Sequence, residues 1–338
     1  MATPKTMRAI NITKIASWEY NEIASVSDLV FNPAQPFPQP TPEQLLIKVH
    51  AVNITPYELS WPAAPAADPR VVSHDVAGVV VSGPEDSEFQ EGDKVFGLMD
   101  FYGQGGMAEY TVTTADVLAK IPEGLSFEEA ASLPRASLTL WQGMKVQGGG
   151  MIKEGDNVLI LGATGAVGRM AIQMIRYFVG KDAKIIAMGG AGGEDAKSLG
   201  ADFLINYREV KDWTEEVKKL GVSINLIFDA VGKKTLEAAI PLVKEGGKIV
   251  TIGSPPPKYT GIQGWDEIEK KGNGLFFIVR PDGLNLKKIA KLVERGVVKP
   301  SVSTVVEGLD QEKVREGWMG AFKGGLSGKP GSTVVKIL

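Results

Sequence analysis

Residues 156–179 read DNVLILGATGAVGRMAIQMIRYFV. The apolar run at 157–161 has the length and continuity expected of a parallel strand buried on both faces. Gly162, Gly165 and Gly168 then interrupt it, and from Val167 the apolar period changes, so that Met170, Ala171, Met174, Ile175 and Phe178 share one helical face. Strand, glycine turn and helix in that order make an anion site. Glycine lets the backbone approach a pyrophosphate closely, while the free N–H groups and the positive dipole end of the helix face the negative charge. The spacing is GxxGxxG rather than the dinucleotide fingerprint GxGxxG, and glycines also serve simply to close a tight turn. The flanking sequence has to decide between the two readings.

Those flanks repeat the pattern. Residues 184–188, 203–206, 224–229 and 248–253 read as further strands, with helical periodicity at 213–220 and 234–243. Such βα alternation predicts an α/β fold with a doubly wound parallel sheet. Within it Gly162, Ala163, Thr164, Gly165, Ala166, Val167 and Gly168 are candidate dinucleotide-binding positions.

At 338 residues the chain exceeds one ordinary core, and two domains are expected. Hydrophobic residues make up 43% and the net charge is −3, which leaves no basic footprint for nucleic acid or an anionic membrane. The absence of cysteine removes disulfides, thiolate catalysis and Cys-ligated zinc together. No apolar run approaches a membrane span, and the N-terminal residues lack a secretory or Arg-rich transit pattern, so the cytoplasm is the expected compartment. The first third is strand and turn: two short strands within 7–31, a proline-rich connection at 31–44, further strands at 45–52, 71–82 and 105–112, and a turn plus strand at 89–97. Gly78 inside one of these marks a bend or a close backbone approach. The strand at 45–52 leads into a polar cluster of His50, Asn53, Thr55, Tyr57 and Glu58.

A set of ordered motifs can now be named: EGDKVFG (91–97), GGMAEYTV (105–112), AKIPEGLSFEEAASLP (119–134), SLTLWQGM (137–144), IKEGDNVLILGATGAVG (152–168), LGADFLINYRE (199–209), FDAVG (228–232) and EGGKIVTIGSP (245–255). Together they resemble the zinc-independent quinone oxidoreductase and enoyl or enone reductase branch of the medium-chain dehydrogenase/reductase superfamily, over almost the whole chain. The resemblance implies a β-rich, GroES-like catalytic domain from residues 1–125 and 282–338, with a Rossmann domain, residues 126–281, inserted between. It implies NADPH as cofactor and, as substrate, an enone, an enoyl thioester or a quinone. It implies a monomer or homodimer. Catalytic roles fall by resemblance on Tyr57, which would orient or protonate the substrate carbonyl, on Asn53, and on Thr139 at the nicotinamide. Tyr57 reads equally as an aromatic wall, and Asn53 as a turn cap.

For the cofactor's adenosine end, no Asp or Glu closes the second strand, which runs out in Gly189 and Gly190; the first acids are Glu194 and Asp195. Tyr207 matches the tyrosine that NADPH-using relatives place against the 2′-phosphate, and Arg208 stands beside it. The usual Ser and Lys of that clamp are missing, which keeps NADH and a lost clamp as alternatives. Gly253, Phe277 and Val279 complete the expected cofactor set. Arg169 reads as a solvated first-turn residue or a phosphate contact, and Trp61 and Trp265 as pocket walls or packing. Residues 254–273 read as a lid or a long surface loop, with the acidic and basic run at 266–273 solvated. His74 in SHDVAG is similar to a zinc-binding segment of related enzymes but lacks their ligand set, so no metal is expected. A non-redox cyclase or isomerase, and a nucleotide-binding regulator without turnover, stand as alternatives to the reductase.

Overall fold

The computed structural model describes residues 4–13, 24–60, 70–146, 150–190, 193–253, 261–322 and 330–338. The chain divides into two units, Met1–Arg135 with Arg280–Gly296 and Pro300–Leu338, and Ala136–Val279 with Val297–Lys299.

Period-two burial builds the first unit. Its strands are β1 (Thr6–Ile12), β2 (Leu29–Pro36), β3 (Gln44–Asn53), β4 (Arg70–Val71), β5 (Asp75–Ser82), β6 (Lys94–Leu98), β7 (Tyr110–Thr114) and β8 (Leu118–Lys120). β2, β1 and β4 form a small antiparallel sheet. β2 runs on through Pro33 to Pro36, into the stretch whose prolines predict a connection. It tolerates them because it is an edge strand whose register slips opposite Met7 and Ala9, so that the missing N–H of Pro33 costs no ladder bond. β3, β5, β6 and β8 form the larger sheet, with β7 also on β3. The strand expected over 71–82 is broken in two at 72–74, where Ser73 has a φ of 67°. Gly78 meets the expectation of close approach, since a Cβ there would lie 2.3 Å from the Lys48 carbonyl oxygen. Trp318, Met107, Ile10 and Leu29 lie in the main core of this unit.

The second unit follows the βα alternation. β9 (Val158–Leu161), β10 (Ile185–Gly189), β11 (Phe203–Asn206), β12 (Ile224–Asp229), β13 (Val243–Thr251) and β14 (Gly274–Phe276) are parallel, in the order β11-β10-β9-β12-β13-β14. That is the dinucleotide-binding order, and strand order reverses between β9 and β12. Helices Ala166–Val179, Trp213–Lys219 and Lys233–Ala239 lie between the strands in sequence. β14 stops at Phe276, short of the full apolar run at 275–279; Phe277 and Val279 are buried beyond it, whereas Ile278 is exposed. Trp265 is core, 1% exposed, so packing is its role; Trp61 lies outside the described residues. Residues 254–260 also lie outside them, and part of the remainder of the expected lid or loop is a helix, Trp265–Lys270, whose charged side chains are solvated. The C-terminal strands β15 (Val302–Glu307) and β16 (Ser332–Lys336) rejoin the first unit, β16 pairing with β3. No helix among the described residues is long and apolar enough to cross a membrane.

Candidate active site

In the second unit the turn after β9 is built by backbone alone. Gly162 has a φ of 80°, and the amides of Gly162 and Ala163 both donate to the Met188 carbonyl at 3.0 and 2.9 Å, tying the turn to β10. Gly165 caps the helix Ala166–Val179, whose first-turn amides at Ala166, Val167 and Gly168 lie outside its hydrogen-bond ladder and point from its N-terminus. Gly168 is the tightest point: a Cβ there would sit 2.1 Å from the Gly162 carbonyl oxygen. The structure therefore brings Gly162, Ala163, Thr164, Gly165, Ala166, Val167 and Gly168 into one cradle at the switch point of the sheet, beside the β12 turn, where Val231 closes on Gly162.

Asp229, at the end of β12, holds that second turn. Its buried carboxylate accepts from the amides of Val231 and Gly232 at 3.0 Å and from the Thr251 hydroxyl at 2.6 Å. Burial pushes its pKa up, against the opposing pull of these donors. Gly253 joins the same construction: its amide donates to Thr251 Oγ1, and a Cβ would lie 2.5 Å from Gly232 Cα. Sequence reasoning passed over Asp229, although an aspartate closing a strand one residue before a Val-Gly turn is the signal that finds it.

At the end of β10, Gly189 packs against Thr164, and its carbonyl accepts from the amide of Tyr207 at 3.1 Å. Gly190 lies against the Tyr207 hydroxyl and the Arg208 Nε, and the Arg208 guanidinium sits over the Tyr207 ring, 5.8 Å from its centroid. Gly189, Gly190 and Tyr207 are thus neighbours, with Arg208 among them. Arg169 departs from the solvated reading. It is buried and paired in fork geometry with Asp195, at 2.7 and 2.5 Å, and that hydrogen bond draws the Asp195 carboxyl below its ordinary range. Phe277 packs at Gly143, in a π-helical turn (Gln142–Val146) that continues the helix Pro134–Trp141 carrying the buried Thr139. Val279 is buried two residues further on.

In the first unit Asn53 ends β3, between Asp75 and Val334; it is buried, and its Oδ1 has no hydrogen-bond partner among the described residues. A short turn, Pro56–Ser60, follows. Tyr57 points outward and is 61% exposed, edge-on to Phe322 at 5.5 Å. Its neighbour Glu58 points inward and is fully buried. Glu58 Oε1 accepts from the Ser73 amide at 2.6 Å, from His74 Nδ1 at 2.8 Å and from Arg70 at 3.4 Å, and Arg135 stands 3.9 Å from Oε2. Burial alone would raise this carboxyl, but His74, Arg135 and Arg70 outweigh it and hold the pKa down at about 2. Arg135 in turn bonds Asp75 through its backbone amide and Nε. His74 is thus committed to Glu58, and no group of three or more His, Asp or Glu among the described residues could hold a metal ion. His50 stacks on Phe127 instead. Glu58 was legible only as one of a polar cluster, because its partners come from residues 70–75 and 135.

Residues 41–123 match the family model described as the alcohol dehydrogenase GroES-like domain, and residues 166–270 the one described as zinc-binding dehydrogenase. The chain is 32% identical over 316 residues to the 2-methylene-furan-3-one reductase of Solanum lycopersicum, covering 89% of this chain and 75% of that one. The chain belongs to the medium-chain dehydrogenase/reductase superfamily, in its quinone oxidoreductase and enone reductase branch. A second member of this superfamily, the NADPH-dependent alkenal/one oxidoreductase of Arabidopsis thaliana, is 30% identical over 317 residues, covering 87% of this chain and 75% of its own. The solved quinone oxidoreductase of Coxiella burnetii superposes with a TM-score of 0.80 at 25% identity, over 99% of this chain and 100% of that one. The chain is thus an oxidoreductase of this superfamily, with a GroES-like domain and the Rossmann-like parallel sheet described above.

Proposed function

We propose that this chain is an NADPH-dependent reductase of activated carbon–carbon double bonds or quinones that works without a metal. Supporting the nucleotide is the glycine turn itself: Gly168 lets the start of the helix Ala166–Val179 close directly onto the Gly162 carbonyl, which leaves the first-turn amides at the switch point of the sheet open to an anion. Supporting the phosphorylated form is the placing of charge at its rim. Asp195, the kind of residue that would repel a 2′-phosphate, is tied to Arg169, while Tyr207 and Arg208 stand at Gly190. Arg208 takes the part for which a lysine is expected. The relatives named for furanone and alkenal reduction, and the quinone oxidoreductase, support the acceptor class. The absence of cysteine and the commitment of His74 to Glu58 give a donor set that does not fit zinc. A homodimer or monomer in the cytoplasm belongs to the same reading.

Gly162 to Gly168 would hold the pyrophosphate, Gly189, Gly190, Tyr207 and Arg208 the adenosine phosphate end, and Gly253, Phe277, Val279 and Thr139 the nicotinamide end. Bound reduced nicotinamide supplies the hydride. Tyr57 has the chemistry to donate a hydrogen bond to the substrate carbonyl as charge develops on its oxygen. Asn53 Oδ1 offers a buried acceptor for a donor on the bound molecules.

Nicotinamide fluorescence titration with NADPH and NADH, followed by acceptors in the same cuvette, tests this. Tighter binding of NADPH, weakened about tenfold in Arg208→Ala without a matching loss for NADH, is expected from one charge-assisted contact. Failure to bind either nucleotide would sink the reductase reading.

A further inference from the structure

The helix Gln311–Phe322 both fixes and flanks the turn that carries Tyr57. Trp318, fully buried, donates from Nε1 to the Pro56 carbonyl at 3.0 Å. Gly317 allows the close seat: a Cβ there would lie 2.8 Å from Val306 Cγ2 and 3.4 Å from Ile54 Cδ1. Met319, which follows Trp318, and Phe322, one turn further on, lie three residues apart on a shared face, and both are exposed, at 46% and 44%. Phe322 meets the Tyr57 ring at an interplanar angle of 89°. Met319, Phe322 and the Tyr57 ring are therefore all partly exposed on this side of the unit, with Glu58 anchoring the Tyr57 turn from below.

We infer that Phe322, with Met319, determines acceptor specificity, and that the preferred acceptor is a planar enone or quinone bearing an aromatic or fused-ring body. The inference rests on the reductase reading above, in which Tyr57 meets the carbonyl. A carbonyl hydrogen-bonded to Tyr57 brings the rest of its conjugated plane to the perpendicular ring of Phe322, where an aryl group finds both a face and an edge to pack against. A short aliphatic enone leaves Phe322 and Met319 exposed. The long polar arm of an acyl thioester gains no ion pair from either side chain. Aromatic anchors of this kind set affinity through the apolar surface that they cover.

The test compares benzalacetone with ethylideneacetone, the same enone with methyl in place of phenyl, in wild type, Phe322→Ala, Phe322→Leu, Phe322→Tyr and Met319→Ala. The ratio of kcat/KM for the aryl over the methyl enone is expected to fall about tenfold in Phe322→Ala, mostly through KM, to fall less in Phe322→Leu, and to be restored in Phe322→Tyr. An equal loss on both acceptors, or no change of the ratio, overturns the inference. Calorimetric binding of benzylacetone, the saturated ketone, reads the same surface without turnover. Binding weakened about tenfold in Phe322→Ala upholds the surface even if wild type reduces neither enone, an outcome that would count against the reductase reading alone. Equal binding to both proteins removes the surface itself.

Discussion

At Gly168 a single methyl group decides whether the strand-to-helix turn after β9 can close. Its nearest neighbour would be a backbone oxygen, which cannot rotate away as a side chain would. Gly168→Ala is therefore expected to lower the thermal midpoint and to weaken NADPH binding at least tenfold, measured by melts and fluorescence titration. Unchanged binding would show that the cradle does not hold the pyrophosphate. Gly162, Gly165 and Gly168 were legible in the sequence because turn geometry is local and glycine is its visible mark. Arg169 was not. A first-turn arginine looks solvated until Asp195, 26 residues away, is found against it.

Two short elements hold their carboxylates in opposite ways. On the turn Pro56–Ser60, Glu58 has a folded pKa of about 2, below its ordinary 4.5. The unfolded chain thus takes up the proton first, and the carboxylate's contribution is complete above about pH 4.5 and lost as pH falls toward 2. At about 1.4 kcal/mol per unit this is on the order of 3 kcal/mol. Asp75 works in the other sense, since burial pushes it up and favours its protonated form in the folded unit. Glu58→Gln is expected to flatten the acid arm of the stability profile in that window and to lower stability at neutral pH, because the buried Arg70 and Arg135 lose the negative charge that balances them and an amide NH2 replaces one carboxylate oxygen. Melts from pH 2 to pH 7 measure both, and an acid arm of unchanged slope would contradict the role given to Glu58. On the β12 turn, Asp229→Asn sets an amide group against backbone donors; a loss of about 1–3 kcal/mol in denaturant unfolding, together with weaker NADPH binding, is expected. Stability unchanged would mean that the turn holds itself.

At the scale of the whole molecule, each of the two units has its own buried core. A ligand held by the second unit stabilises the state that binds it by about 2.7 kcal/mol at a hundredfold excess over Kd. Calorimetry with NADPH is expected to raise the transition of the Rossmann unit, and a scan that NADPH leaves unmoved would contradict binding there. What the sequence determined by itself was whatever depends on neighbours along the chain. Period-two and helical patterning placed most strands and helices, the glycine spacing placed the strand-to-helix turn, and the βα alternation implied the parallel sheet. Only the tertiary structure decided the rest. The break at Ser73, the burial of Trp265, the pairing of Arg169 with Asp195, the cage around Glu58 and the meeting of Tyr57 with Phe322 all join residues far apart in the chain. Their energies come from desolvation and packing, which depend on what surrounds a side chain in space, and a linear pattern holds no record of that.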